Sequence, residues 1–234
     1  LTLRGDLSPK IVGIDIDEGV AKKTGAIHSD FFEWYDSQSN FDVILGNPPY
    51  IRSQIFPKKS KEIAFKIMKE LGCEPKKMMS SWVPFTAICS SMLTKNGKMA
   101  FVLPEELLTV QYALPLRDWL LENIGDVTIC PTGTNLFPDA QVKPLIVMIE
   151  RKPAKGTLRR ISWGDFIGKK YNKSVKSPPL NYLKGKWAHL FMEPNDLKLM
   201  TSISKSLKWP EFSNYGHACV GVVSGNKNFF IRSG

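Results

Sequence analysis

The 234-residue sequence contains no apolar run approaching the length of a membrane-spanning helix, and its start carries no secretory leader pattern. The chain therefore reads as soluble and cytoplasmic, with no membrane partner. Cysteine is scarce: Cys73, Cys89, Cys130 and Cys219 are scattered with no Cys-x-x-Cys spacing, which indicates neither a disulfide framework nor a zinc site and favours buried thiols. His28, His189 and His217 stand apart from one another, and no metal is assigned. There are no internal repeats. The hydrophobic content of 43% suffices for a sizeable core, and the length suggests one domain and a second, smaller one.

Charge is unevenly distributed. Residues 1–150 hold 16 Lys and Arg against 18 Asp and Glu, whereas residues 151–234 hold 16 against 4. A nearly neutral first part followed by a strongly basic one suits a catalytic body joined to a surface for a polyanion, with nucleic acid favoured over a merely solvated lysine face.

Along the chain, short apolar segments alternate with helical periodicity. Ile11 to Ile14 reads as a strand buried in a parallel sheet, with Asp15 at its carboxyl end and Asp17 two residues on. In doubly wound folds an acid at that place binds ribose hydroxyls, which makes Asp15 the first candidate and Asp17 the reserve. Residues 26–28 form a second short strand, followed by Asp30 and Phe31. A carboxylate beside an aromatic ring there can hold the adenine moiety of a nucleotide-like cofactor, or simply cap a helix. Helices are expected over about 60–71 and 81–93, a strand over 98–103, and a helix over 104–123 kinked or split by Pro115. A strand over 126–131 is then hairpinned against one over 143–150. Residues 153–180 read as a basic linker, and 181–234 as the start of a mixed, β-leaning unit with a strand-turn-strand pattern over 220–231.

The most informative stretch is Asp42-Val43-Ile44-Leu45-Gly46-Asn47-Pro48-Pro49-Tyr50. Two consecutive prolines fix φ and supply no N–H, so the chain leaves its strand in one rigid extended shape. The Asn47 amide oxygen and the Pro48 carbonyl then form an acceptor pair beside the Tyr50 ring. Such a pair suits a planar ligand bearing an exocyclic amino group, the ring stacking on its plane and the acceptors taking its NH₂ hydrogens. Adenine has this form.

In this order the motifs resemble the S-adenosylmethionine-dependent adenine-N6 DNA methyltransferases of restriction-modification systems. Ile11 to Asp17 resembles the strand whose acid binds the cofactor ribose, implying Asp15 with Ile16; Asp30-Phe31 resembles the motif that holds the cofactor adenine. Asn47-Pro48-Pro49-Tyr50 matches the catalytic motif. Residues 81–108 resemble the helix-strand-Pro segment of this family, and Leu136-Phe137-Pro138 the loop whose aromatic packs against a flipped base, implying Phe137. The 220–231 stretch resembles the start of a target-recognition domain. The resemblance implies an α/β, Rossmann-like methyltransferase sheet, mostly parallel with one late antiparallel strand, over residues 1–152. It also implies double-stranded DNA as partner and S-adenosylmethionine as cofactor. The family's glycine-bearing turn has no counterpart here and would precede residue 1. With Leu1 as first residue, the chain reads as an N-terminally truncated fragment whose central strand would come from a missing N-terminal segment or another subunit. Two alternatives stand beside this one. A protein glutamine-N5 methyltransferase also resembles the chain at Asn47 to Tyr50, and the absent glycine turn fits a catalytically incomplete DNA-binding fragment.

Overall fold

The computed structural model describes residues 9–37, 39–132, 143–173, 175–176, 185–206 and 214–216. Its contacts divide the chain into two units, Leu1–Met192 and Glu193–Gly234.

The first unit begins with two β/α steps. Strand β1 (Ile14–Asp15) leads into helix α1 (Glu18–Thr24), which Asp17 opens by accepting the Val20 amide at 2.9 Å and Gly25 closes at φ 70°. Strand β2 (Ile27–His28) pairs with β1 in parallel and leads into α2 (Phe31–Trp34), capped by Asp30. Next come β3 (Phe41–Gly46), α3 (Lys58–Glu70), α4 (Trp82–Ser91) and β4 (Leu93–Pro104). The segment after β4 breaks into two 3₁₀ turns, α5 (Leu114–Trp119) and one π turn over 120–124, before β5 (Gly125–Pro131) and β6 (Pro144–Arg151). Strand β7 (Leu158–Arg160), α6 (Trp163–Ile167) and β8 (Val175–Lys176) follow. The six-stranded sheet has the order β3-β4-β6-β5-β7-β8, with β3 parallel to β4 and β6 antiparallel to both β4 and β5. β1 and β2 form a separate two-stranded sheet, and among the described residues β3 has a hydrogen-bonded neighbour on one edge only. The α/β class and the late antiparallel strand, β6, are as expected, and β8, antiparallel to β7, adds a second antiparallel strand to the one expected.

Alternation along the strands decides where the core lies. Met99, Phe101 and Leu103 of β4, Leu145, Val147 and Ile149 of β6, and Val127 and Ile129 of β5 share one face. They form a single buried cluster with Met68, Trp82, Val83, Ala87, Leu116 and Trp119 from the helices. The opposite face is open: Val43 is 61% and Leu45 67% exposed. A cavity of about 510 Å³ there is lined by these two residues together with Lys98, Met148, Glu150 and Arg159, and contains none of the expected site residues.

Three differences from the sequence reading have physical causes. The segment expected as a helix over 104–123 is split at Pro115 as foreseen, with α5 starting at Leu114, but its first part forms 3₁₀ turns, because fully buried Arg117 donates through Nη1 to the Leu107 and Val110 carbonyls, at 2.9 and 3.0 Å, which a helix would use internally. Its guanidinium pKa is pushed down to about 10 by burial. The segment 153–180, expected as a linker, contributes β7, parallel to β5, and β8. Asp126 holds it there, its Oδ1 accepting the Thr157 amide at 2.8 Å and the Thr157 hydroxyl at 2.9 Å. In the second unit the described part is helical, α7 (Pro194–Ser206), although the sequence pattern leans towards β. The strand-turn-strand pattern over 220–231 and Phe137 lie outside the described residues.

Candidate functional site

The carboxyl ends of β1, β2 and β3 converge on one cavity of about 540 Å³. Asp15 ends β1, Asp30 follows β2, and Asn47-Pro48-Pro49 leaves β3. Ligands of open α/β sheets bind at this end of the strands. Of the residues singled out in the sequence, Asp15, Ile16, Asp30, Phe31, Asn47, Pro48 and Pro49 line the cavity. Tyr50 is half-buried behind it, and its ring packs against the main core.

The two early acids divide their work. Asp17 is spent on capping α1, while Asp15 faces the cavity and its Oδ1 accepts the Asp17 amide at 2.8 Å. Asp30 caps a helix and also borders the cavity. Its Oδ1 caps α2 by accepting the Phe32 amide at 2.8 Å, its Oδ2 accepts the Ser60 hydroxyl at 2.5 Å, and the residue still lines the cavity. Phe31 is stacked on Phe85 of α4, with centroids 4.7 Å apart and planes at 19°, which fixes the ring at the cavity wall.

The tip after β3 is fixed from several sides. Gly46 lies opposite Phe101, and a Cβ there would meet the Phe101 ring at 3.0 Å, so any larger residue at this position requires the ring to give by a few tenths of an ångström. The single Tyr50 hydroxyl proton is shared between the Val102 carbonyl at 2.8 Å and Asn47 Oδ1 at 3.0 Å. Burial pushes the Tyr50 pKa up to about 12, so the phenol remains a neutral donor at physiological pH. Ser81, fully buried at the start of α4, does not cap its own helix. Its hydroxyl instead donates to the Pro49 carbonyl at 2.5 Å and accepts the Ile51 amide at 2.9 Å, while its amide donates to the Ile51 carbonyl at 2.9 Å. Of the two proline carbonyls, Pro49's is thereby consumed. Among the described residues nothing donates to Pro48's. Asn47 itself is exposed to the cavity.

The cavity wall supplies oriented dipoles, two carboxylates and an aromatic surface. Its one thiol, Cys89, is held neutral by burial, which pushes its pKa up to about 12. Among the described residues no three His, Cys, Asp or Glu side chains are grouped to hold a metal ion. Ser60, Ser81 and Phe85 were not singled out by the sequence. Ser81 carried the one available signal, a serine opening an apolar helix, but that signal points to helix capping, which the structure does not show.

Comparison with known proteins gives a consistent result. The Type II methyltransferase M.AccI of Acinetobacter calcoaceticus is 20% identical over 244 residues, covering 94% of this chain and 44% of its own length. M.CvrRI of Paramecium bursaria Chlorella virus XZ-6E is 26% identical over 174 residues, covering 68% of this chain and 41% of its own length. The chain thus spans less than half the length of these relatives. Among solved structures, the type IIG restriction endonuclease BpuSI matches with a TM-score of 0.51 at 17% identity, over 78% of this chain and 24% of its own. A putative class I S-adenosylmethionine-dependent methyltransferase from Listeria monocytogenes matches with a TM-score of 0.51 at 18% identity, over 68% of this chain and 51% of its own. These two likenesses show the fold, a Rossmann-like methyltransferase sheet. A family model for the Type II methyltransferase M.Eco57I C-terminal domain matches residues 184–234, and one for the Eco57I restriction-modification methylase matches residues 7–135, more than half of the sequence. The chain belongs to the Eco57I restriction-modification methylase family.

Proposed function

We propose that this chain is the methyl-transfer part of a restriction-modification enzyme that methylates the N6 amino group of adenine in double-stranded DNA, with S-adenosylmethionine as methyl donor. The observation that carries the reading is the pair of acceptors at the tip of β3. Asn47 and Pro48, whose carbonyl accepts no hydrogen bond among the described residues, line the same cavity as Asp15, Asp30 and Phe31. The cavity has the size of a cofactor pocket, and carboxylates at strand ends beside an aromatic wall fit a ribose and a purine. In this reading Asp15, with Ile16 beside it, holds the ribose hydroxyls, and Asp30 with Phe31 holds the cofactor adenine. The bound cofactor supplies an electrophilic methyl group.

The chain's own residues then act on the target. The base leaves the duplex at a cost of a few kcal/mol, offset by contact with Tyr50 and with Phe137. Asn47 Oδ1 and the Pro48 carbonyl accept the two amino hydrogens, which turns the nitrogen lone pair out of the ring plane and toward the methyl group. Positive charge developing on nitrogen is stabilised by these fixed dipoles, so no strong base is needed, and the proton that the methylated nitrogen sheds passes to solvent. Tyr50, whose hydroxyl now bridges Asn47 and Val102, holds the asparagine in place until the amino group replaces it as donor.

The division into a catalytic body and a recognition part beginning near residue 181 belongs to the same proposal, and the basic C-terminal third is its duplex-binding side. A tritiated-methyl transfer assay that offers duplex DNA and a glutamine-bearing protein substrate side by side tests the reading. Label in N6-methyladenine, reduced about a hundredfold or more by Asn47→Ala with DNA affinity nearly unchanged, is the expected result. Equal losses of binding and turnover in Asn47→Ala, or label in protein alone, refute it.

A further inference from the structure

Two turns beside the Asn47 tip share an arrangement that methyl transfer does not use. In the first, the amides of Ile55 and Phe56 both donate to the Arg52 carbonyl at 3.0 Å; Phe56 is buried and Ile55 stands 73% exposed. In the second, the Met79 amide donates to the Lys76 carbonyl at 3.0 Å; Met79 is fully buried and Met78 is 53% exposed. Each turn therefore anchors one apolar side chain and presents the one before it to solvent. Ser53 joins them, its hydroxyl donating to the Lys77 carbonyl at 2.7 Å. The joined turns adjoin the catalytic tip, since the first starts after Ile51 and the second ends at Ser81, which are hydrogen-bonded to each other.

The charge of this surface is unlike that of its surroundings. Residues 51–80 hold eight Lys and Arg against three Glu, while the remainder of the first 150 residues holds eight against fifteen. Arg52, Lys76 and Lys77 are exposed and make no ion pair among the described residues. A single exposed apolar side chain is ordinary. Two on stitched turns, among unpaired cations and next to an amino-group clamp, match what an opened duplex presents: phosphates on either side of a step where stacking has been lost.

We propose that this double turn is the rim that grips the duplex around the extruded base. Arg52, Lys76 and Lys77 neutralise phosphates flanking the target, and Ile55 and Met78 pack against the base step left unstacked. The inference rests on the DNA methyltransferase reading above and adds a contact surface outside the basic C-terminal third.

The test uses the full 234-residue chain, a mixed-sequence duplex of synthetic DNA, and fluorescence anisotropy over a series of salt concentrations. Lys76→Gln/Lys77→Gln should weaken binding about tenfold near 0.15 M salt and lower the slope of log K against log[salt] by about two, and Arg52→Gln by about one. Ile55→Ala/Met78→Ala should leave the slope unchanged but reduce the preference for a duplex with a bulged adenine over a fully paired one. Calorimetric binding of S-adenosylmethionine, unchanged in each variant, shows that the fold is kept. Wild-type affinity and slope in both charge variants overturn the proposal while leaving methyl transfer to DNA intact. A wild-type chain that takes up S-adenosylmethionine but binds no duplex at low salt overturns the underlying reading as well.

Discussion

Ser81→Ala is the most direct test of how the tip after β3 is held. The substitution removes one oxygen and leaves two backbone groups without their partner: the Pro49 carbonyl, bonded at 2.5 Å, and the Ile51 amide, bonded at 2.9 Å. A buried group left unsatisfied costs about 1–3 kcal/mol. Both bonds are only partly buried because, although Ser81 is enclosed, Pro49 is exposed and Ile51 partly so; water can reach the vacated groups and the lower part of that range applies to each. A total loss of about 2–3 kcal/mol is expected, read as a lower urea midpoint at unchanged m-value. The Ser81 amide still donates to the Ile51 carbonyl, so the segment stays attached and the tip shifts rather than detaches. With the Pro49 carbonyl released, the two acceptors are no longer fixed relative to the cavity, and a displacement of the order of 1 Å costs about a hundredfold in rate. The turnover number should therefore fall ten- to a hundredfold while S-adenosylmethionine affinity stays within about threefold. Wild-type stability and turnover in Ser81→Ala would refute the argument that this hydroxyl positions the tip.

Three further outcomes follow from separate features. Burial raises the pKa of Cys73, Cys89, Tyr50 and Tyr112 to about 12 and of Cys130 to about 11, from 9.0 for the thiols and 10.0 for the phenols. Above pH 9 the unfolded chain binds fewer protons than the folded one, so stability is full below pH 9 and falls as pH rises toward 12; urea unfolding at pH 8 and pH 10 should show the drop, and Cys89→Ala should lessen it. If Asp15 holds the ribose as proposed, Asp15→Ala should weaken S-adenosylmethionine binding at least about tenfold by calorimetry, whereas Asp17→Ala should lower the melting temperature by a few degrees, for a lost cap of about 1 kcal/mol, with binding unchanged. Gly156→Ala should destabilise by about 3 kcal/mol or abolish folding, because its Cβ would lie 1.7 Å from the Gly125 carbonyl oxygen; a melting temperature equal to wild type would contradict the packing of β7 against β5.

What could be read from the sequence was what neighbouring residues determine. The Asn47 to Tyr50 tip announces itself because prolines dictate their own backbone, and α3, α4, β5 and β6 follow from periodicities and Gly or Pro boundaries within a few positions. The missed features depend on partners far along the chain. Ser81 serves backbone groups 30 and 32 residues away, and Phe85 matters because α4 brings it onto Phe31. β7 is only three residues long, two of them arginine, so its alternation is too brief to register; Asp126 and the register with β5 make it a strand. Pro115 makes the split of the segment 104–123 legible, but nothing local reveals that Arg117 will be buried and take the Leu107 and Val110 carbonyls, which leaves the first part as 3₁₀ turns.

The exposed strand β3 has a colloidal consequence. Val43 and Leu45 project from a strand with one unpaired edge among the described residues, and an apolar edge of this kind is a template on which another chain can add a strand. Left bare, it favours self-association that grows with protein concentration. Covered by a parallel strand, the same edge anchors the base of the segment that carries Asn47. Self-association and the anchoring of Asn47 therefore both depend on what occupies the free side of a single strand.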